Sequence, residues 1–555
     1  MKLKALKPRL HNAMFHTHTV AGIVISFALF ICFYCGAVAL FMDELQQWEN
    51  PEARINAVDA AAVDYDKIIH KIGEKVPDFD RTGQFGMVPP STANPLVWFY
   101  GSKKDDEGTT TRFIATVHPA TYELLSVGTE PKTHMARTIY ELHFFYQIPI
   151  IGIYLSGLVA FFFLFAIITG LLTHWRNIVN KFYAFTTEGK WKQIWTNGHI
   201  SLGFIALPFQ LIYAVTGALL GLSILLLAPS AFLMFDGDTN KVIEAVFPDV
   251  ARTYEEDAKI ITDGASFTSV YQKVNQAYPN NTLTYIFSRN YGKEDGTITA
   301  RIDDHKGISG DGSFTYAYKS GELISALEPN TKTYAEGAYG VLIKLHYATY
   351  GGVFLKIIYF ILAMITCYVI LSGVMIWRTA RDTKKYSDKQ RRFHHRVTKL
   401  YLAVTLSLFP AIALIFIANK LVPLALPNRV FYVNATFFLG WLVLTVIGLF
   451  WNNYRKLNRN YIVLGSTLGV LIPIANGLVT GDWIWKTLIN QDYYVFSVDL
   501  TWIVIGVFGL AISILYLKQK ENKKDLELVP AKRIKRQPIV KEEPTPVLQN
   551  FSDNS

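Results

Sequence analysis

Cysteine, charge and nucleotide-binding motifs are all scarce in this chain, and each scarcity excludes something. Only three cysteines occur among 555 residues: Cys32 and Cys35 in the first apolar run, and Cys367 in the fourth. The long polar segments hold none, so no disulfide framework staples them. Cys32 and Cys35 have C-x-x-C spacing, yet inside an apolar run they read as small helix-packing residues. Charged residues make up 18%, against 51% hydrophobic and 14% aromatic. With a mean hydropathy of +0.22, that balance is the composition of an integral membrane protein. No G-x-G-x-x-G follows a strand pattern and no Walker sequence occurs. No serine or cysteine triad, H-E-x-x-H or paired-carboxylate constellation stands out.

What is present is apolar sequence of spanning length. Eight stretches qualify, near 20–42, 150–173, 200–227, 353–377, 398–418, 430–451, 460–480 and 498–517. Pro410 and Pro473 interrupt the fifth and seventh, which membrane helices tolerate. Asp, Glu, Lys and Arg are nearly missing from mid-depth, and Lys420 is expected near the outer surface. Basic stretches at 1–11, 174–192, 377–396, 452–460 and 518–525 all fall on one side if the eight spans are real. By the positive-inside rule that side is the cytoplasm, with both termini there. Much of the net charge of +10 is therefore topology signal, and nucleic-acid binding is a poor reading of it. The first run imitates a signal peptide, with Ala37-Val38-Ala39 in the place of a cleavage site. It is longer than a signal core, and it is expected to be retained.

Two polar segments lie outside. Each begins with a helical pattern and continues with strand-like pieces, which suggests a small α+β module. The expected fold is a mainly α, polytopic membrane bundle of about eight spans with two such modules, built on a duplicated span–module–span unit. The divisions are 1–42 (N-terminus and first span), 43–140 (first module), 141–227 (second span, loop, third span), 228–345 (second module) and 346–380 (fourth span). A basic loop at 381–397, a four-span extension at 398–517 and a charged tail from 518 to 555, expected to be disordered, complete the chain.

The duplication can be checked by spacing. His18 is followed by Gly22 at +4 and Gly36 at +18, and His199 by Gly203 at +4 and Gly217 at +18. His143 precedes Gly170 by 27 residues, and His346 precedes Gly373 by 27. An offset of 18 residues is about five helical turns, so each histidine shares a face with its two glycines. Polar side chains in lipid are costly, so a repeated histidine at the membrane boundary marks a functional site. His18 and His199 fall at the cytoplasmic ends of their helices, and His143 and His346 at the outer ends. Paired imidazoles between helices are what six-coordinate haem iron requires. The four are candidate haem ligands, paired most simply across the duplication, although pairing within one half stays open. Gly22, Gly36, Gly203 and Gly217 would make room for a macrocycle or for a neighbouring helix. His174 and His395 are reserve ligands on the cytoplasmic side, where His16 and His394 also lie. The aromatic residues of these helices read as core packing.

These residues resemble the PepSY-associated transmembrane helix family. The matching stretches are "HTVAGIVISFALFICFYCGAVALF" (18–41), "HISLGFIALPFQLIYAVTGALL" (199–220), "YELHFFYQIPIIG" (140–152) and "IKLHYATYGGVFLK" (343–356). The helix ends "ITGLLTHWR" and "LSGVMIWR" match as well, and "TVHPATYELLSVG" and "YAYKSGELISAL" resemble degenerate PepSY modules. Thr19 and Val20 depart from the aromatics that often follow the first histidine. The resemblance implies a b-type cytochrome of the bacterial inner membrane with two haems, acting as a reductase of ferric siderophores or related iron chelates in iron uptake. It makes His18, His199, His143 and His346 the axial ligands. The acceptor would be a periplasmic ferric chelate. The donor would be separate, a reduced soluble carrier or membrane quinol, and membrane lipid is the remaining partner. The extension at 398–517 is found in only some members.

Two other readings compete. A haem-free membrane scaffold would use its modules to bind or restrain an extracytoplasmic protease. A transporter would need ionisable residues deep in the bundle, and the spans show few.

Overall fold

A computed structural model describes residues 7–518 except 105–107, 176–179, 181, 184, 187–188, 239–240, 244–251, 256, 305–306, 309 and 330. The tail expected to be disordered lies, from 519 onward, outside the described residues, as does part of the 174–192 loop.

Helix α1 (Pro8–Ala39) starts on a proline, whose fixed φ and missing N–H suit the first turn. It begins twelve residues before the apolar stretch, so His18 lies inside a continuous helix. The short α2 (Met42–Glu49) follows. The first module then builds α3 (Tyr65–Lys75) and strands β1 (Phe85–Val88), β2 (Val97–Lys104), β3 (Thr110–Val117) and β4 (Leu124–Gly128). A second short helix, α4 (Met135–His143), leads to the span α5 (Ile151–His174). The third span is broken into α6 (Trp191–Ile205) and α7 (Leu207–Gly221), bent by 71°. Pro208 in the first turn of α7 cannot supply the N–H that would continue α6. Helix α8 (Ser223–Met234) follows, and the second module builds α9 (Phe267–Ala277) and strands β5 (Thr282–Arg289), β6 (Thr297–Asp303), β7 (Gly312–Ala317) and β8 (Leu323–Leu327). The short α10 (Tyr334–Tyr347) precedes the span α11 (Gly352–Arg381).

The extension contributes α12 (Asp388–Leu421), α13 (Arg429–Gly448), α14 (Tyr454–Thr480), the short α15 (Ile484–Ile489) and α16 (Tyr493–Lys518). Ser387 and Gln390 form a reciprocal cap on α12, and Gly481, at φ +79°, ends α14. Pro410 and Pro473 sit inside α12 and α14 without ending them. Among the described residues seven single helices are long and apolar enough to cross a membrane, and the bent α6–α7 pair, counted as one span, makes eight.

The two modules share one antiparallel sheet. Its strand order is β4-β3-β2-β1-β5-β6-β7-β8, with β1 against β5 at the centre through Gly86 and Phe287. A Cβ at Gly86 would lie 2.5 Å from the Phe287 Cβ, so the seam closes only on glycine. Helices α3 and α9 cover one face and interlock: Asp66 accepts from the N–H groups of Phe267 (2.9 Å) and Thr268 (3.0 Å) at the start of α9. The sheet marks one side of the membrane bundle, called here the sheet side; the other is the far side.

Lys420 lies on the sheet side against Trp48 but is buried, at 4% exposed, and Asp499, in the last span, is 0% exposed. Each has partners that offset the burial, described below.

Candidate functional site: two facing histidine pairs

On the far side, His18 of α1 faces His199 of α6, with ring centroids 6.1 Å apart and planes at 74°. The His18 Nδ1–H donates to the Ala166 carbonyl of α5 at 2.8 Å. The His199 Nδ1–H donates to the Val369 carbonyl of α11 at 2.9 Å. In both cases a glycine follows the carbonyl by four residues, Gly170 and Gly373. A Cβ there would sit 2.9 Å from His18 Cε1 or 3.2 Å from His199 Cε1. The physical reason is direct. A helical carbonyl already accepts from the N–H four residues on, and its second lone pair can be reached from outside only past that residue's side chain. Removing the side chain opens the approach.

On the sheet side, His143 faces His346, with centroids 5.9 Å apart and planes at 49°. The same device recurs once: the His143 Nδ1–H donates to the Cys32 carbonyl at 2.6 Å, and Gly36, four residues later, abuts the ring at 2.7 Å from its would-be Cβ. The fourth histidine uses another acceptor. Thr216 gives its own proton to the Ile212 carbonyl at 2.7 Å, so its Oγ1 accepts from His346 Nδ1 at 2.9 Å. Tyr213 adds a bond from its hydroxyl to the His346 carbonyl at 2.8 Å. These two histidines do not belong to the spans. His143 ends α4 and His346 lies in α10, each cut off from the following span by a break with a positive φ, at Phe145 and Ile150 in one half and Ala348 in the other.

A carbonyl oxygen can only accept, and the Thr216 proton is already given to Ile212, so each Nδ1 carries the proton and each Nε2 keeps its lone pair. Among the described residues none of the four Nε2 atoms has a hydrogen-bond partner. That is the tautomer and outer support of a metal-ligating histidine. Two imidazoles bound to one metal from opposite sides, with bonds of about 2 Å, place their ring centroids about 6 Å apart. Both observed separations match. Among the described residues no three His, Cys, Asp or Glu side chains converge to hold a metal ion. A metal held here would take its remaining ligands from elsewhere, as haem iron does from its macrocycle.

Each pair opens on an apolar cavity, of about 490 Å³ on the far side and about 230 Å³ on the sheet side. Leu29 and Phe163 line both, so a single layer of side chains separates them. From His18 to Cys32, which supports His143, α1 rises about 21 Å.

The other candidates are placed as follows. Gly22 and Gly203 line the far cavity; a Cβ at Gly22 would meet nothing within 4 Å, and one at Gly203 would touch Val369 at 3.6 Å. Gly217 lines the sheet-side cavity but abuts Ala160 at 3.1 Å, not His346. His174 and His16 line the far cavity beside His18 and His199. His395 lines neither cavity; it is buried at the start of α12, 3.6 Å from Asp382. His394 packs on Trp377 at 5.0 Å. Sequence reasoning assigned no role to Gly170 and Gly373 or to Thr216. The repeated offset of 27 residues was the signal for the two glycines; nothing local marked the threonine.

A multi-pass membrane bundle carrying a duplicated histidine–glycine frame, with a joined pair of α+β modules on one side, is the class these features define. Residues 15–380 match the PepSY-associated TM region, and the chain belongs to that family. The match stops at the end of α11 and leaves the four-helix extension outside. None of the curated proteins matches the chain.

Proposed function

We propose that this protein carries electrons across the membrane with a haem b held at each histidine pair, and delivers them to a ferric siderophore or related iron chelate on the sheet side. One observation supports the reading above the rest: four histidines, each locked as the Nδ1–H tautomer, form two pairs at haem-ligand spacing in apolar cavities one side chain apart. His18 and His199 would hold one group, and His143 and His346 the other. When bound, haem iron between two imidazoles exchanges single electrons without changing its ligands.

The chain's own residues supply the rest. Ala166, Val369, Cys32 and Thr216 hold the imidazole orientations. Gly170, Gly373 and Gly36 admit the rings, and Leu29 and Phe163 keep the partition dry and thin. One electron converts the ferric chelate to the ferrous form, which hard oxygen ligands hold less well, and the metal is released. The donor is a separate molecule, a reduced soluble carrier or quinol, that meets the far side. In this reading the far side, which carries the basic loops, faces the cytoplasm and the sheet faces the periplasm of a bacterial inner membrane.

The test is to reduce the purified protein, mix it anaerobically with a ferric hydroxamate or catecholate chelate, and follow haem reoxidation together with capture of Fe(II). Stoichiometric reoxidation with iron release is expected. A protein that binds haem but is not reoxidised by any such chelate contradicts the acceptor. A haem-free protein leaves the protease-restraining scaffold as the better account.

A further inference from the structure

The family match ends before the four-helix extension, yet the extension grips the helix that carries one of the histidines. Glu49 closes α2 and is 4% exposed. Its Oε2 accepts from the Ala136 N–H at 3.0 Å. Ala136 is in the first turn of α4, whose last residue is His143. A carboxylate at this position satisfies N–H groups that a helix start leaves unpaired, and it opposes the positive end of the helix dipole.

The extension reaches α4 directly as well. The Thr138 hydroxyl lies 2.8 Å from both the Asn434 Oδ1 of α13 and the His134 carbonyl, sharing its one proton between them. Arg429, at the start of α13, donates to the Lys132 carbonyl just before α4 at 3.0 Å. Around Glu49 the burial is extensive. Lys420 donates to the Trp48 carbonyl and lies 3.9 Å over the Trp48 ring. The Trp48 indole N–H donates to Asp499 Oδ1 at 2.7 Å, and Asn476 donates to Asp499 Oδ2 at 2.9 Å. Arg54 pairs with Asp482 and donates to the Trp48 carbonyl at 2.9 Å. Glu49, Asp482 and Asp499 thus balance Arg54, Lys420 and Arg429 in formal charge. A buried set of this kind adds little net stability, and its best-attested use is to fix one arrangement over others.

We propose that Glu49 is a positioning residue for His143, and that the four-helix extension acts through Glu49 and Thr138 to set the orientation of the sheet-side imidazole. The proposal rests on haem binding at the His143–His346 pair, as argued above. Helix α4 is short and detached from the span that follows. Beside its packing on α1 and the His143–Cys32 bond at its end, its register is set by what holds its start.

The experiment uses the full-length protein in detergent at pH 8: wild type, Glu49→Gln, Glu49→Asp and Thr138→Ala. Low-spin haem signals are resolved by electron paramagnetic resonance and redox titration. The sheet-side signal is identified as the one lost in His143→Ala. Glu49→Gln is expected to change the g-values of that signal alone and to shift its midpoint upward, since a buried negative charge that favours the ferric state has gone. Glu49→Asp restores the midpoint in part. Thr138→Ala changes the g-values without an upward shift of that kind. Unchanged g-values in both Glu49→Gln and Thr138→Ala overturn the proposal, as do equal shifts at both haems, which indicate general loosening.

Hydrogen exchange across 136–143 gives a second readout that needs no haem. At least a tenfold faster exchange is expected in Glu49→Gln, with residues 15–25 unaffected, and equal rates overturn the proposal. A wild-type protein without haem but with that exchange difference separates failure of the functional reading from failure of this one.

Discussion

The two histidine pairs are built to one plan and secured in two ways. On the far side His18 sits within the 32-residue α1 and His199 within α6, the first part of the bent third span, and both lean on a carbonyl four residues before a glycine. On the sheet side both sit on short helices outside the spans, and only His143 uses the glycine device. His346 leans on a side-chain hydroxyl instead. The difference teaches where the duplication stops being sufficient. The far pair lies within the spans and is fixed by their packing. The sheet-side pair depends on neighbours that are not matched between the two halves: Thr216, the Tyr213 hydroxyl, and Glu49 with the extension behind it.

The largest expected effect separates the two sites outright. His346→Ala or His143→Ala should lower haem content from two per chain to one, with the far-side haem spectrum intact; His18→Ala should do the reverse. Loss of both haems from any one of these variants would show that the sites are not independent.

Gly36→Ala and Gly170→Ala come next. Each places a methyl group within 3 Å of an imidazole, and overpacking of this kind costs about 1–3 kcal/mol. Each should weaken haem retention at its own site only. Gly22→Ala adds a methyl group to the far cavity wall that meets no protein atom within 4 Å, so any change it makes by absorption spectroscopy should be confined to the far-side haem.

Thr216→Val probes the asymmetry itself. It strands the His346 Nδ1–H, which costs about 1–3 kcal/mol for a buried donor, and it frees the ring to turn. A shift in the sheet-side haem signal is expected, and no change would mean that Tyr213 suffices.

The smallest effect is a pH dependence. Burial raises the Glu49 carboxyl to about 7, against the opposing pull of the Ala136 N–H, Arg429 and Lys420. A carboxyl raised in the fold contributes stability that is full below its unfolded value of about 4.5 and is lost as pH rises through about 7. Thermal unfolding of wild type should therefore lose stability across that window relative to Glu49→Gln. Parallel curves for the two proteins would show that Glu49 does not titrate there.

Much of this was legible from spacing. The eight apolar runs read as spans because the bilayer fixes their length, and the matched histidine–glycine offsets exposed the repeat. The break between Ile205 and Leu207 hid inside one apolar run, where Pro208 was the only mark. Joining of the two modules through Gly86 was not legible, since strand pairing between distant segments leaves no local pattern. The burial of Lys420 and Asp499 was not legible for the same reason: their partners, Trp48 and Asn476, arrive from elsewhere in the chain. The Nδ1 acceptors escaped because backbone carbonyls carry no sequence signature.

The central claim is that two haems bind between the facing histidines. Its most direct test is the oxidised and dithionite-reduced absorption spectrum of the purified protein, with haem quantified per chain. The account predicts two b-type, low-spin haems per chain. A protein that stays free of haem when purified from haem-supplemented cells would contradict it.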